Sequence, residues 1–512
     1  MMRKTAFVIL LCSISLSAMA QSVKLYDSPE LTPEVQEIRR QAVWKPSSSA
    51  VSLPASVDNS VLKFFPEVFE QEGGSCAQAA GMRYLFSYEM NRILDRDAGA
   101  SDDNVYSYYF TWNFLNEGID QGGFAEQGFT IAKNHGAMSL ADFPDPSTSV
   151  TYRWETGYDK YIRSMENRVA EIHTIEVMDR AGIDNARRYL YDRGNGSEYG
   201  GVLSFSAYVS GWKMDNNYSG PSHTGYKSMV TGLASEGAHA MTIVGYDDSV
   251  EFVKDGVRHS GAFIGVNSYG KWWGDKGHFY IPYYFFMQDR PAVVLDHNMS
   301  GCTCRKHKPQ VVFKVRLKYN SRNDLSINIG VADKPYALKP EIVVYPPICS
   351  NQGGDHPMRG EYIDNSSEIE IAFDFTEAVE KYSSYSEPKY FLNIVRSDAG
   401  EAGNGTLEAF SVLDSRSGVP VEYFADIAVP VSLKKGVNTF SVCTSELRTT
   451  SGSRLRITDD TGKTVSTPYV VRTENGNYAK MQVMKYDSNT GKLEIKFLYQ
   501  DDGSRNISNP VE

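Results

Sequence analysis

The chain divides into two regions that differ in the spacing of their hydrophobic positions. After Cys76, apolar side chains recur three or four residues apart as far as Ile93, which predicts a core helix with one apolar stripe. Further along, short runs rich in β-branched and aromatic residues predict strands at 201–209, 240–246, 261–269 and 277–286. The region from Val57 to about His297 therefore combines helices with strands.

From about residue 300 the pattern predicts strands alone. The predicted strands are separated by breaks rich in Asn, Asp and Gly, and they lie at 310–319, 324–332, 368–375, 389–396, 405–414, 421–433, 438–444, 453–460 and 492–500. This spacing is typical of an antiparallel sandwich of ~200 residues. We expect an all-β sandwich domain at 299–512, which could be subdivided.

The N-terminus has the three parts of a secretory signal peptide. Arg3 and Lys4 precede the apolar run at 5–17, and the small-residue site Ala18-Met19-Ala20 follows it. We expect a signal peptide at 1–20 and a secreted protein, periplasmic or extracellular. A lipid anchor at Cys12 is disfavoured because Leu11 precedes it.

The rest of the chain predicts no membrane span, since no later run approaches the ~18 apolar residues that a spanning helix needs. Residues 21–52 predict a short N-terminal segment and linker, with one helix that begins at Thr32 and Pro33. The net charge of −11 argues against a nucleic-acid partner, which would require basic stripes that neutralise phosphates.

The cysteines fall into two groups. Four of them lie in the strand-rich region and are disulfide candidates in an oxidising compartment, with the connectivity open: Cys302, Cys304, Cys349 and Cys443. His297 and His307 lie near two of these and would allow a zinc site, but the irregular spacing favours disulfides, so we expect no metal.

Cys76 is the odd cysteine, and its surroundings favour chemical use. It follows Gly73 and Gly74 and begins the predicted helix, where free N–H groups lower a thiol pKa. The alternative is a small buried side chain at a helix start. A catalytic thiol also needs a base and a group that orients the base, for which His239 and Asn267 are candidates at predicted strand ends.

Three ordered motifs carry a family resemblance. The segments "QEGGSCAQ" (71–78), "GAHAMTIVGY" (237–246) and "NSYGKWWGDKGHF" (267–279) resemble the cysteine, histidine and asparagine motifs of papain-like cysteine peptidases. Residues 53–78 and 120–145 also resemble the start of the family's mature domain and its glycine-rich substrate segment. The resemblance covers 53–298 and implies an α+β papain-like domain with a helical lobe and a β-barrel-like lobe.

The resemblance implies a role for each matching residue. Cys76 would be the nucleophile, His239 the proton acceptor and donor, and Asn267 the group that fixes the histidine tautomer. Gln71 and the backbone N–H of Cys76 would stabilise the oxyanion. The activity implied is peptide-bond hydrolysis through a thioester acyl-enzyme, without a cofactor.

The substrate implied is a peptide or protein bound as an added strand. The residues expected beside the peptide or as a shield of the triad are Gly122, Gly123, Gly74, Ser75, Ala238 and Trp273.

The chain also departs from the family pattern. Gln71 lies five residues before Cys76, one fewer than in the family, and Tyr269 stands where the family has tryptophan. Residues 248–261 predict an extra hairpin between the strands of His239 and Asn267. These departures leave a second hypothesis open, a catalytically weak peptidase-like binding protein whose sandwich binds glycan or protein.

Overall fold

The computed structural model describes residues 31–47, 52–145, 152–288, 297–335, 337–360, 367–380, 385, 388–397, 405–444, 469–472, 478–487 and 492–500. The predicted signal peptide and the strand predicted at 453–460 lie outside the described residues. The described chain has a mixed α/β fold with several sheets and few helices. None of its helices is both long enough and apolar enough to cross a membrane.

The described helices are α1 (Pro33–Gln41), α2 (Cys76–Gln78), α3 (Ser87–Leu94), α4 (Tyr108–Leu115), α5 (Ala125–Asn134), α6 (Tyr158–Met165), α7 (Arg180–Asp192), α8 (Tyr283–Phe286) and α9 (Thr376–Glu380). The sequence prediction for α1 is confirmed, because the Thr32 side chain caps it and accepts from the Val35 N–H. A π-helix, Ala79–Phe86, joins α2 to α3, so the helix that begins at Cys76 runs on to Leu94.

A nine-stranded sheet underlies the first half of the chain. Its strands are β1 (Ser56–Asp58), β2 (Asn167–Glu176), β3 (Leu203–Tyr208), β4 (Lys213–Asp215), β5 (Met229–Gly232), β6 (Ala238–Lys254), β7 (Val257–Val266), β8 (His278–Pro282) and β9 (Asn298–Lys306). Their order is β2-β9-β3-β6-β7-β8-β5-β4, with β1 paired to β6. Strand β9 runs to Lys306, so this sheet extends past residue 298, where the sequence predicts the end of the papain-like domain.

The hairpin predicted between His239 and Asn267 is confirmed. Strands β6 and β7 remain paired to their tips, where Lys254 pairs with Val257. Asp255 and Gly256 form the turn, and both have positive φ, as a two-residue hairpin turn requires. The strand predicted at 277–286 ends earlier, because Tyr283–Phe286 turns into helix α8.

Two further sheets follow in the strand-rich region. The strands are β10 (Val311–Lys318), β11 (Leu325–Ala332), β12 (Ile342–Val344), β13 (Glu368–Asp374), β14 (Lys389–Arg396), β15 (Thr406–Asp414), β16 (Val421–Phe424), β17 (Val431–Ser432) and β18 (Gly436–Cys443). One sheet has the order β13-β10-β15-β16 with β17 on β15, and the other has the order β12-β11-β14-β18. Phe313 of β10 packs against Tyr390 of β14, with ring centroids 5.7 Å apart. A complete sandwich stays a prediction.

The residues from Cys443 onward form a separate compact unit. Its described strands are β19 (Tyr469–Arg472), β20 (Tyr478–Asp487) and β21 (Lys492–Gln500), which form one antiparallel sheet in the order β19-β20-β21.

Small side chains bring the helix at Cys76 close to the sheet. Ala77 and Ala80 pack on Ala240 of β6 in a small apolar cluster that Cys76 borders. The Thr242 hydroxyl also donates to the Ala80 carbonyl at 3.3 Å. Because alanines leave little space between the two backbones, the start of α2 lies directly against strand β6.

Candidate active site

Cys76 is the first residue of α2 and is partly exposed. Its side chain packs against the small cluster that contains Ala240 and Ala77, and the backbone N–H groups of Ala240, Ala77 and Cys76 itself act to lower its thiol pKa. The first two come from different elements, since Ala240 lies on β6 and Ala77 lies in the helix. The thiol is therefore placed beside the strand residue that directly follows His239.

The loop before Cys76 depends on a glycine. Gly73 has φ +56°, and a Cβ there would lie 2.4 Å from the Asp120 Oδ1. That same oxygen accepts from the Gly74 N–H at 2.6 Å. A side chain at position 73 would thus push Asp120 away from the loop that leads into Cys76.

His239 and Asn267 meet across strands β6 and β7. His239 Nε2 lies 2.8 Å from Asn267 Oδ1, and both residues are almost fully buried. The Ser268 backbone N–H reaches the same Asn267 atom at 2.7 Å. A backbone N–H can only donate, so this atom is the amide oxygen, and His239 Nε2 must carry its hydrogen.

The tautomer of His239 follows from this contact. Because Nε2 carries the hydrogen in the neutral ring, Nδ1 holds the lone pair and is the nitrogen that can accept a proton. The Asn267 amide thus orients the imidazole and leaves one nitrogen for chemistry.

An aromatic layer covers the imidazole. The Tyr269 ring stacks on the His239 ring with centroids 4.4 Å apart and an interplanar angle of 26°. Trp273, which the sequence predicts as the shield, packs edge-on against Tyr269 at 6.1 Å. Tyr269 is thus the aromatic in contact with the ring, and Trp273 lies one layer behind it.

Burial moves both reactive groups toward their neutral forms. It raises the pKa of the Cys76 thiol, against which the three backbone N–H groups act. It lowers the pKa of His239 to about 4, against which the Asn267 hydrogen bond acts. The direction for the thiol is opposite to that expected from the helix N-terminus alone, and it implies a resting pair of thiol and neutral imidazole.

Gln71, whose spacing to Cys76 is short, is bonded to Ser268, the residue that follows Asn267. Its backbone N–H donates to the Ser268 carbonyl at 2.8 Å, and its Oε1 accepts from the Ser268 hydroxyl at 2.5 Å. Its Nε2 donates one hydrogen to the Gly73 carbonyl at 3.0 Å. Glu70, which has the family spacing to Cys76, is exposed at the surface.

The glycine-rich segment predicted to bind substrate borders the same loop. A Cβ on Gly122 would lie 3.8 Å from the Gly74 carbonyl, and both Gly122 and Gly123 are partly exposed. The carbonyl of the next residue, Phe124, accepts from Gln78 Nε2 at 2.9 Å. The structure thus brings this segment to the helix that begins at Cys76.

The other predicted residues fall into two groups. Ser75 and Ala238 lie near the pair, because Ser75 precedes the thiol and donates its hydroxyl to the Glu72 carbonyl at 2.7 Å, while Ala238 precedes His239. The four disulfide candidates lie elsewhere. Cys302 and Cys304 lie on β9 of the large sheet, Cys349 lies between β12 and β13, and Cys443 ends β18. These first three are buried free thiols in the structure, so their pairing stays a prediction.

Sequence reasoning missed three supporting residues. Tyr269 was noted only as a departure from the family, while Ser268 and Asp120 carried no signal of their own roles. Each of them contacts a distant segment, which the sequence does not reveal. The sequence does show that Ser268 lies next to Asn267 and that Asp120 lies just before the glycine pair. Within the described ranges, no group of three or more His, Cys, Asp or Glu side chains is arranged to hold a metal ion.

Comparison with solved structures finds cysteine proteases. Xylellain, a cysteine protease from Xylella fastidiosa, is 18% identical with a TM-score of 0.36, over 52% of this chain and 90% of that one. Procathepsin B S9 from Trypanosoma congolense is 14% identical with a TM-score of 0.35, over 52% and 85%. The proform of Amb a 11, a ragweed pollen allergen, is 17% identical with a TM-score of 0.34, over 50% and 67%.

These similarities are too distant to establish a function. No family model matches the sequence, and no curated protein matches it.

Proposed function

We propose that the chain is a papain-like cysteine peptidase that hydrolyses peptide bonds with Cys76, His239 and Asn267. The observation that carries the proposal is the hydrogen bond from His239 Nε2 to an amide oxygen whose identity the Ser268 N–H fixes. It leaves Nδ1 of His239 as the proton acceptor, and His239 directly precedes Ala240, which belongs to the small apolar cluster that Cys76 packs against.

The reaction begins with proton transfer within the pair. As the Cys76 sulfur attacks the peptide carbonyl carbon, the thiol proton moves to His239 Nδ1, and the carbonyl oxygen becomes an oxyanion. The Cys76 backbone N–H and the second hydrogen of Gln71 Nε2 are the candidate donors to that oxygen.

Collapse of the tetrahedral intermediate completes the first half. The C–N bond breaks, Nδ1 gives its proton to the leaving amine, and a thioester remains on Cys76. A water molecule then attacks the thioester while Nδ1 takes one of its protons, and this proton returns to the sulfur as the acid product leaves.

The neutral resting pair shapes this mechanism. Because burial raises the thiol pKa and lowers that of His239, charge separation arises during attack, with the imidazolium held by Asn267. Alkylation of Cys76 by iodoacetamide should accordingly be slow at pH 6 and faster as the pH rises. Fast labelling at pH 6 would show a resting thiolate and refute the neutral pair.

Trapping of the acyl-enzyme tests the function itself. Incubation with an activated peptide ester should add the acyl mass to a tryptic fragment that contains Cys76, and Cys76→Ala should show neither the adduct nor peptide hydrolysis. Cys349→Ala is a control for the loss of a thiol, because Cys349 is a buried thiol in the strand-rich region, away from Cys76. Equal hydrolysis by wild type and Cys76→Ala would overturn the proposal.

A second candidate is the weak or inactive peptide-binding protein. One observation favours it, since both the oxygen and one hydrogen of the Gln71 amide are already bonded, to Ser268 and to Gly73. If Gln71→Ala leaves kcat/KM unchanged in an active protein, the second oxyanion donor lies elsewhere. If no variant of the pair changes any peptide hydrolysis, the binding function is favoured.

We further propose the wider organisation that the sequence suggests. The peptidase domain predicted at 53–298 would extend through strand β9 to Lys306. A β-sandwich that binds glycan or protein would follow it in the region predicted at 299–512, in a protein secreted through the signal peptide at 1–20. Secretion into the medium by an expression host, and N-terminal sequencing of the product at Gln21, would test the last of these.

A further inference from the structure

A narrow pocket lies next to the candidate substrate segment. Its walls are the start of α5 at 124–126, strand β3 at 204–206 and strand β9 at Ser300. Arg39 of helix α1 also lines it, and about 10 Å³ of space remains, roughly enough for one water molecule at most.

Two connections join this pocket to the reactive pair. Phe124 and Ala125 directly follow Gly122 and Gly123, and the Phe124 carbonyl is bonded to Gln78 of the Cys76 helix. On the other wall, Ser206 pairs with Ala240 across β3 and β6. Partners in such a pair have Cα atoms about 5 Å apart, so the Ser206 wall of the pocket lies one strand away from Ala240, which belongs to the cluster that Cys76 packs against.

The floor of the pocket is a buried carboxylate. Glu126 is 1% exposed, and its Oε1 accepts from the Ser300 hydroxyl at 2.5 Å and from Arg39 Nε at 2.7 Å. The Arg39 guanidinium also lies over the Phe124 ring, with its carbon 5.4 Å from the centroid. The pocket thus offers a negative charge and an aromatic face, which together suit a guanidinium or ammonium group.

We propose that Glu126 makes this pocket specific for an arginine or lysine side chain of the peptide substrate, with Arg39 as an occupant from the same chain that the substrate displaces. The inference rests on the proposed peptidase function and adds its substrate class. Arg39 is the salt-bridge partner that the described residues give Glu126. A buried carboxylate that loses such a partner is left uncompensated, so a cationic side chain is favoured over a neutral one of similar size.

The alternative is a purely structural ion pair that fastens helix α1 to α5. Helix α1 has other anchors, since Val35 is fully buried and the Trp44 N–H donates to the Thr174 carbonyl at 2.9 Å. Loss of the Arg39 contact should therefore leave the helix attached, which allows the two interpretations to be separated by experiment.

The first experiment measures selectivity at the pocket. Wild type and Glu126→Gln are compared on a fluorogenic peptide library in which arginine, lysine, glutamine and norleucine alternate at each acyl-side position. We expect a preference for basic residues at one position, and a fall of at least tenfold in the basic-to-neutral ratio of kcat/KM in Glu126→Gln. Ser300→Ala keeps the carboxylate and should keep the preference.

The second experiment removes the occupant. Arg39→Ala should lower KM for the basic peptide several-fold, whereas the matched variant Arg40→Ala should not, because Arg40 is exposed and pairs with Glu37 on the same helix. Thermal melts identify any variant that fails to fold, and Glu126→Asp then serves as the second test of the charge.

The last experiment separates this inference from the peptidase function. Calorimetry on Cys76→Ala measures binding of a basic peptide and of its neutral analogue, which needs no catalysis. Tighter binding of the basic peptide, lost in Cys76→Ala with Glu126→Gln, supports the pocket even if hydrolysis is absent. Equal binding of both peptides, or an unchanged ratio in Glu126→Gln of an active enzyme, overturns the inference and leaves the peptidase proposal intact.

Discussion

Replacement of Asn267 by alanine tests the contact on which the proposed chemistry depends. The Asn267 oxygen accepts from His239 Nε2 at 2.8 Å and from the Ser268 N–H at 2.7 Å, in a site almost closed to water. Asn267→Ala leaves both donors without this acceptor and releases the imidazole from its fixed orientation. We therefore expect reduced but measurable hydrolysis.

The size of the loss follows from the charge that His239 carries during attack. A hydrogen bond to a charged group contributes about 1.5–3 kcal/mol. Since about 1.4 kcal/mol corresponds to a factor of ten in rate, kcat/KM should fall roughly 10- to 150-fold. The unpaired buried N–H of Ser268 should also lower the free energy of unfolding by about 1–3 kcal/mol.

The pH profile gives the second measurement. Burial lowers the His239 pKa to about 4, and hydrolysis requires the neutral ring, so kcat/KM of wild type should decline as the pH falls through about 4. The Asn267 bond raises this pKa, so its loss in Asn267→Ala should move the acidic limb to lower pH. Asn267→Asp keeps an acceptor and adds a negative charge, so its limb should move to higher pH.

The assay is a fluorogenic peptide followed from pH 3 to pH 8, with stability monitored over the same range. An acidic limb that stays in place in both Asn267 variants would show that this limb does not report His239. An unchanged rate in Asn267→Ala would refute the orienting role altogether.

Three further predictions concern the surroundings of the site. Gly73→Ala forces a Cβ against Asp120 at positive φ, so kcat/KM and thermal stability should both fall, with a strain of about 1–3 kcal/mol as the cause. His135 is buried, and burial lowers its pKa to about 3, so the unfolded chain binds a proton at this histidine more readily than the folded chain does. His135→Leu should therefore melt at a higher temperature than wild type near pH 4, and at no lower temperature at pH 7. Equal melting temperatures at pH 4 would contradict this. His356→Ala removes a ring that touches Gly118, and it should change kcat/KM without loss of the fold, as circular dichroism would check.

The segments that hold the three candidate residues could be predicted from the sequence because their signals are local. A glycine pair before a helix, small residues around a histidine and a strand that ends in asparagine each occupy a few adjacent positions. The helix at Cys76 and the hairpin at 248–261 were predictable for the same reason, since hydrophobic period and turn residues determine them. A few adjacent residues were thus enough to predict the position of a side chain wherever local structure determines that position.

The supporting contacts could not be predicted because they join distant segments. No local pattern pairs Arg39 with Glu126, or Asp120 with Gly74, since each partner is separated from the other by many residues and meets it only in the folded chain. The sequence likewise suggested a lowered thiol pKa from the helix N-terminus, whereas burial by surrounding elements raises it. Desolvation depends on the tertiary fold, which a short stretch does not encode.

The candidate substrate segment is held from two sides, and this links the strand-rich region to the proposed chemistry. On one side, Asp120 accepts from Gly74 in the loop that leads to Cys76. On the other side, His356 Nε2 lies 3.3 Å from the Gly118 carbonyl, and a Cβ on Gly354 would lie 2.3 Å from the Glu117 carbonyl.

Contacts this close leave little room for the loop at 117–120 to shift alone. The glycine pair begins at Gly122, two residues after this loop ends. A displacement of the 353–356 loop must therefore move either the glycine pair or the contact of Asp120 with the loop that leads to Cys76. We therefore expect substitutions at 353–356 to change KM for peptides more than substitutions on the hairpin tip at 254–257, which lies at the far end of β6 and β7 from His239.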